Sequence, residues 1–369
     1  MESALTQFAK YRHLRDRIAR ACGTLVAVGA AVTVATCCWP AGRNSHLVKV
    51  GAILGHENAP LPSPTGLNDL LRSGTNQINV CDIARMNLLC AERLPGAEGP
   101  DCNSCLATLD EWAGRIRSET ERHFYRYKAK PTEFDNSEGY FRMLMMAVVL
   151  YEDFTIRYNP DQISVPATAG AEERFFADSR DIFLHGLCSN RRMGTCSSLP
   201  VLYVALGRRL GYPLKLATTK SHLFLRWESP SERFDLEATG KGMNRYDDEH
   251  FKRWPFPVSE EEIRADGYLK SLTPTEELAL FLSLRGNCLK EAGRIQEAVC
   301  SHRAAADLVP GCRAYRVLLA DTVGGSSRLF PAESSRQLPA FGSGLPPNVV
   351  NSATRSGLQA ERHPLPKTQ

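Results

Sequence analysis

The sequence predicts an α+β fold, and three observations carry that expectation. Long runs with apolar residues at three- and four-residue spacing fill the first part of the body; an apolar helix then gives way to three short strand-like runs; and a helix-turn-helix spacing follows. The arrangement expected is a helical N-terminal part packed on a core of one helix and an antiparallel sheet, followed by a short helical segment. The 369 residues, 43% apolar and 23% charged, suit a globular chain of one large domain or two. With 45 Lys and Arg against 41 Asp and Glu the formal charge is only +4, which argues against nucleic acid as a partner.

Residues 1–20 form a basic head, with Lys10, Arg12, Arg15, Arg17 and Arg20 against Glu2 and Asp16. Ala21 to Trp39 follows without a charge, long enough for one helical membrane span. The positive flank keeps the head in the cytoplasm and places the body outside it, on the periplasmic side, anchored or exported. A cleaved signal peptide and lipid attachment at Cys37 are the other readings of this stretch. A polar, Pro- and Gly-punctuated linker covers 40–77. From Asp321 to Gln369, Pro, Gly and Ser dominate without periodicity, and this tail is expected to be disordered.

Within the body, Ile83 to Leu94 and Leu106 to Tyr127 read as amphipathic helices, the latter with Leu106, Leu109, Trp112 and Ile116 on one face. Phe141 to Phe154 is apolar nearly all round and should be a buried central helix whose Met143, Met145 and Met146 fill the core. Cys196 to Leu210 reads as a helix with Pro200 in its first turns and Gly211 and Pro213 as its stop. Leu214–Thr218, His222–Trp227 and Arg233–Glu237 read as strands, the last two joined by a turn at Ser229–Glu232. With Gly286 at position 8 of a 34-residue helix-turn-helix repeat, Leu289, Gly293, Ala298, Ala305 and Pro310 fall at positions 11, 15, 20, 27 and 32 of the tetratricopeptide (TPR) pattern. Only one further helix, Arg313 to Ala320, follows before Gly324-Gly325, so the segment 271–320 must pack on the domain before it.

Cys196 opens an apolar helix, where backbone N–H groups and the helix dipole favour a thiolate and a developing oxyanion. His222, at the start of a strand, is the candidate base, and a carboxylate should orient its ring. A four-residue turn pairs Arg226 with Asp235 and puts Glu237 diagonal to His222. Glu237 is then the preferred orienting acid, with Asp235 the alternative and the natural salt partner of Arg226. Asn190 is a candidate second oxyanion donor or simply a turn residue. Cys102 and Cys105 form a CxxC with no second pair, so a local disulfide or two loop thiols is favoured over zinc; His185 and Cys188 make half a site. No cofactor motif is present. Trp254-Pro255-Phe256 should clamp the core against the following helices.

Gly194-Thr195-Cys196, Leu199-Pro200-Val201-Leu202-Tyr203, Arg209-Leu210-Gly211-Tyr212-Pro213, Ser221-His222-Leu223-Phe224 and Glu237-Ala238-Thr239 together resemble the core of the transglutaminase-like superfamily. Glu237 stands where that family's Asp-x-Thr motif has Asp. With the TPR-like stretch after it, the chain is similar over about residues 78–320 to the family's bacterial branch with a C-terminal TPR segment. The resemblance implies a transglutaminase-like domain over 78–270 with a papain-like triad of Cys196, His222 and Glu237. It also implies a protein or peptide substrate, and hydrolysis or acyl transfer at amide bonds through a Cys thioester. A non-catalytic scaffold binding a protein partner through the TPR-like helices is the alternative.

Overall fold

The computed structural model describes residues 63–99, 101–162, 175–239 and 243–329. Three short helices come first: α1 (Leu67–Arg72), α2 (Thr75–Val80) and α3 (Ile83–Cys90). The first two begin inside the stretch that reads as linker, because each buries one apolar side chain, Leu70 and Ile78. Asp82 caps α3, its carboxylate accepting from the Ala84 N–H at 2.7 Å.

Helix α4 (Cys102–Ala129) is capped by Asp101 and buries Leu109, Trp112, Ala113 and Ile116 along one stripe. Cys102 and Cys105 therefore lie in its first turn instead of a loop, and neither is bridged. A 3₁₀ turn leads into α5 (Glu138–Val148), which ends in a π turn at Val149–Asp153. Met143, Met145 and Met146 are buried there. Strand β1 (Arg157–Tyr158), helices α6 (Ser179–Ile182) and α7 (Leu184–Cys188) and strand β2 (Met193–Gly194) follow; β1 and β2 pair in parallel, Tyr158 opposite Gly194.

Helix α8 (Leu199–Arg209) is the centre of the body: every residue from Leu199 to Gly207 is buried, as expected of a helix apolar all round. Strands β3 (Leu214–Thr219), β4 (His222–Glu228), β5 (Arg233–Leu236) and β6 (Arg245–Tyr246) then form an antiparallel sheet in sequence order. The β4–β5 register pairs Arg226 with Asp235 and Glu228 with Arg233, the pairing that a turn of Ser229–Glu232 dictates. The outer edge of β3 is covered by the segment 269–272, where the N–H groups of Leu269 and Leu272 donate to the carbonyls of Thr218 and Leu216, each at 2.8 Å. Helices α9 (Asp248–Phe251) and α10 (Glu260–Asp266) come before that segment, and Phe251 of α9 stacks on Phe224 of β4 at 3.8 Å. The chain is thus a mixed α+β protein.

Three helices end the described chain: α11 (Pro274–Glu291), α12 (Ile295–Leu308) and α13 (Arg313–Leu329). They are built into the body. Arg285 donates to the carbonyls of Cys90 and Glu92 at 2.8 and 2.6 Å, and Arg208 at the end of α8 donates to the buried Glu277 carboxylate at 3.0 Å. The described residues form one compact unit. Helix α13 also runs through Gly324-Gly325, where the sequence suggests a break. His302 Nδ1 lies 2.9 Å from Thr322 Oγ1 and Lys290 pairs with Asp321 at 2.6 Å. These contacts hold the turn just before the glycines against the hairpin and offset part of the helix cost of about 1 kcal/mol per glycine.

A β-carbon on Gly286 of α11 would come within 2.1 Å of His302 Cδ2. The ring cannot swing clear, since its two nitrogens are held by Thr322 and the Ser283 carbonyl. Burial presses the His302 pKa down to about 4, so the ring is neutral at physiological pH. Gly286→Ala should lower folding stability by about 1–2 kcal/mol, overpacking exceeding the gain in helix propensity. Urea denaturation measures this; an unchanged or higher midpoint would mean that the helix pair opens freely.

One expectation is corrected by the fold. Among the described residues no helix is long and apolar enough to cross a membrane; α4 and α11 have the length or nearly so, but both carry ionised side chains along them. The anticipated span at residues 21–39 lies outside the described residues, and among those described the expectation of a transmembrane helix is not met.

Candidate functional site

The site is built around the turn Thr195–Ser198 that leads into α8. Thr195 Oγ1 and Ser198 Oγ both donate to the backbone carbonyl of Asp181, each at 2.8 Å. The Thr195 N–H donates in turn to Ser198 Oγ at 3.0 Å, and the N–H groups of Ser198 and Leu199 close on the Thr195 carbonyl at 3.2 and 3.0 Å. Gly194 is required by this closure: a β-carbon there would sit 2.4 Å from Ser198 Oγ. The helix proper starts at Leu199, so Cys196 stands in the turn ahead of it and not at its first residue. The N–H groups of Ser197, Ser198 and Leu199 are consumed by Thr195. They are not available as the anion cradle that a helix starting at Cys196 would offer.

His222 is the first residue of β4, opposite Thr219 and just after the tight turn at Ser221, whose φ is +59°. Its imidazole is buried. Nε2 lies 2.6 Å from Glu237 Oε2, and Cys196 stands close enough to the ring to raise its proton affinity. Glu237 lies one residue beyond β5, and its other oxygen, Oε1, accepts from the Thr239 N–H at 2.8 Å and the Thr239 hydroxyl at 2.6 Å. The Glu-Ala-Thr sequence thus clamps one carboxylate oxygen and aims the other. Burial disfavours the imidazolium, but the hydrogen bonds to Cys196 and Glu237 and the charge of Glu237 outweigh it, pushing the His222 pKa up to about 9.

His222 and Glu237 are therefore joined, with Cys196 beside the imidazole. Asp235 is not part of this group: its carboxylate takes Arg226 at 2.6 and 3.1 Å, both residues buried. Asn190 is exposed in the turn before β2, and no described hydrogen bond ties it to Cys196.

Two residues that sequence reasoning missed or misplaced join the site. Tyr158, opposite Gly194 in the β1–β2 pair, lies near Cys196, and burial together with that neighbour pushes the pKa of its hydroxyl up. Nothing in the local sequence marks it, because a two-residue strand paired across more than thirty positions leaves no periodicity. Trp254 packs its ring edge-on against His222, centroids 4.7 Å apart, and remains 39% exposed. Its Trp-Pro-Phe context reads as a structural clamp; the neighbour it covers is the imidazole. Cys102, Cys105 and His185 do not assemble: among the described residues no three His, Cys, Asp or Glu side chains are grouped to hold a metal ion. His185 Nε2 is 3.2 Å from Ser179 Oγ.

No family model and no curated relative matches the chain, so neither comparison lends support to a transglutaminase-like, hydrolase or TPR assignment. Among solved structures, a crystal structure of menin that reveals the binding site for the Mixed Lineage Leukemia (MLL) protein is matched at 15% identity with a TM-score of 0.25, over 73% of this chain and 63% of that one. This chain thus spans less than two thirds of the menin chain, and a likeness that slight carries no argument about function. The chemistry has to be read from the residues themselves.

Proposed function

We propose that this protein is a thiol enzyme with a transglutaminase-like core that acts on amide or peptide carbonyls through a Cys196 thioester. Cys196 gives its proton to His222 and adds to the carbonyl; the imidazolium returns the proton to the departing amine; Glu237 keeps the ring in place; and water or a second amine resolves the thioester. The observation that carries this reading is the buried His222–Glu237 pair, Nε2 to Oε2 at 2.6 Å, with Cys196 beside the imidazole. Helices α11 and α12 then correspond to one TPR-like hairpin used as a brace. A scaffold that binds a partner through them is disfavoured, because α11 spends Glu277 and Arg285 on the core.

The test is the reactivity of one thiol among several. Cys90, Cys105, Cys188, Cys288 and Cys312 are buried and Cys300 is exposed. With iodoacetamide at pH 7, Cys196 should be alkylated about tenfold faster than Cys300, since thiolate character, not exposure alone, sets the rate. Peptide mass mapping reads both rates in one sample. Equal rates would sink the activated thiol.

A further inference from the structure

We propose that Tyr246, His250 and Trp254 form the subsite for the side chain of the acyl donor, and that this subsite selects an aromatic one. The proposal rests on the thiol-enzyme reading above and adds a substrate class to it.

Three rings at four-residue spacing run from the edge of the sheet to the imidazole. Tyr246 ends β6, His250 lies in α9 and Trp254 stands just beyond that helix. The Tyr246 and His250 rings stack with centroids 3.8 Å apart and 16° between their planes; Trp254 follows His250 at 5.6 Å and 31°, and then meets His222 at 4.7 Å. None of the three is fully buried. Backbone contacts fix the strip in place. The Trp254 N–H donates to the His250 carbonyl at 3.0 Å, and the Val258 N–H closes the loop on the Lys252 carbonyl at 2.9 Å. Thr219, the residue opposite His222, donates through Oγ1 to the Phe251 carbonyl at 2.8 Å, which ties the end of α9 to the strand beside the imidazole.

Of the two aromatic rings against His222, Phe251 is buried and Trp254 is exposed. An acyl donor that reaches the imidazole from solvent therefore arrives past Trp254, and the strip lies along its way. Partly open ring faces beside a reacting centre gain most from cover by another ring. Burial lowers the His250 pKa, so its ring is neutral at physiological pH and serves as aromatic surface. Lys252 and Arg253, next to Trp254 in the chain, weigh against a cationic side chain, and the Glu237 charge felt at His250 weighs against an anionic one.

Two esters test this, p-nitrophenyl acetate and p-nitrophenyl 3-phenylpropanoate. In each case the thiol proton passes to His222, sulfur takes the acyl group, and p-nitrophenolate leaves with the bonding pair. In the full chain the rate of the p-nitrophenolate burst, divided for each ester by its rate with N-acetylcysteine, should favour the phenylpropanoate by about tenfold. Trp254→Ala should bring that ratio to within about twofold of one, and His250→Ala, one ring further out, should lower it by about two- to threefold. The ratio alone is read, because loss of a ring that touches the imidazole slows both esters. Trp254→Met keeps bulk beside His222 without an aromatic face, and its ratio decides if the Ala variant does not fold. A ratio near one in the wild-type protein would overturn the subsite and leave the thiol enzyme standing. A tenfold ratio that survives loss of the Trp254 ring would also overturn it and make the strip packing alone. If neither ester acylates the wild-type protein, the thiol-enzyme reading fails and this one with it.

Discussion

His222→Ala is expected to slow acylation of Cys196 by p-nitrophenyl acetate by roughly 10²- to 10⁴-fold, the usual worth of a positioned proton-transfer group. Added imidazole should restore part of the rate, because the substitution leaves room beside Glu237 Oε2, which the native ring contacts at 2.6 Å. Failure of rescue in a variant that folds normally by circular dichroism would count against proton transfer by this residue. The pH dependence carries a sign. The folded His222 pKa is raised to about 9 from 6.5, so the imidazolium is present in full below the unfolded value and is lost as pH rises through about 9. Release of an amine, which needs that proton, should therefore decline on the alkaline side near pH 9. In Glu237→Gln the decline should move to lower pH, as the charge that sustains the imidazolium is gone.

The second large effect concerns stability. Arg226 is 1% exposed, and it bonds Asp235 at 2.6 and 3.1 Å and the carbonyl of Leu269 at 3.1 Å. Asp235→Ala removes the buried carboxylate and leaves the guanidinium with the partly exposed Asp248 as its remaining acidic partner. The expected loss is about 3 kcal/mol, at the lower end for a broken buried pair because Asp248 compensates in part. Thermal or urea unfolding reads it. The pair also separates the two acids by function: Asp235→Ala should act on folding, whereas Glu237→Gln should act on proton transfer with little change in unfolding midpoint. If Asp235→Ala left stability untouched and abolished acylation, the assignment of the two carboxylates would have to be reversed.

Those two acids also mark how far the sequence could be read. Short-range signals were enough where one contact fixes the next: the Ser229–Glu232 turn sets the β4–β5 pairing, so Arg226 faces Asp235 by register alone. Apolar spacing likewise located α4 and α8. Signals failed where structure depends on distant partners. Helix α8 starts three residues later than its apolar run because Thr195 and Ser198 spend their side chains on Asp181. Helix α13 runs through two glycines, with His302 and Lys290 holding the turn just before them, and α1 and α2 form in polar sequence because Leu70 and Ile78 find a core to enter. Tyr158 is the extreme case, placed by a parallel pairing that no local pattern announces.

The seam between α11 and the rest of the body has a consequence for how the protein comes apart. A boundary near residue 270 divides the sequence into two kinds of pattern, yet the guanidinium of Arg208, on the helix that follows the Cys196 turn, is bound to the Glu277 carboxylate beyond that boundary. The Arg285 guanidinium reaches back to Cys90 and Glu92. Charges shared across a buried seam make the two parts melt together. The C-terminal helices then act as a condition for the Cys196 turn: damage to them would reach it as a loss of the fold.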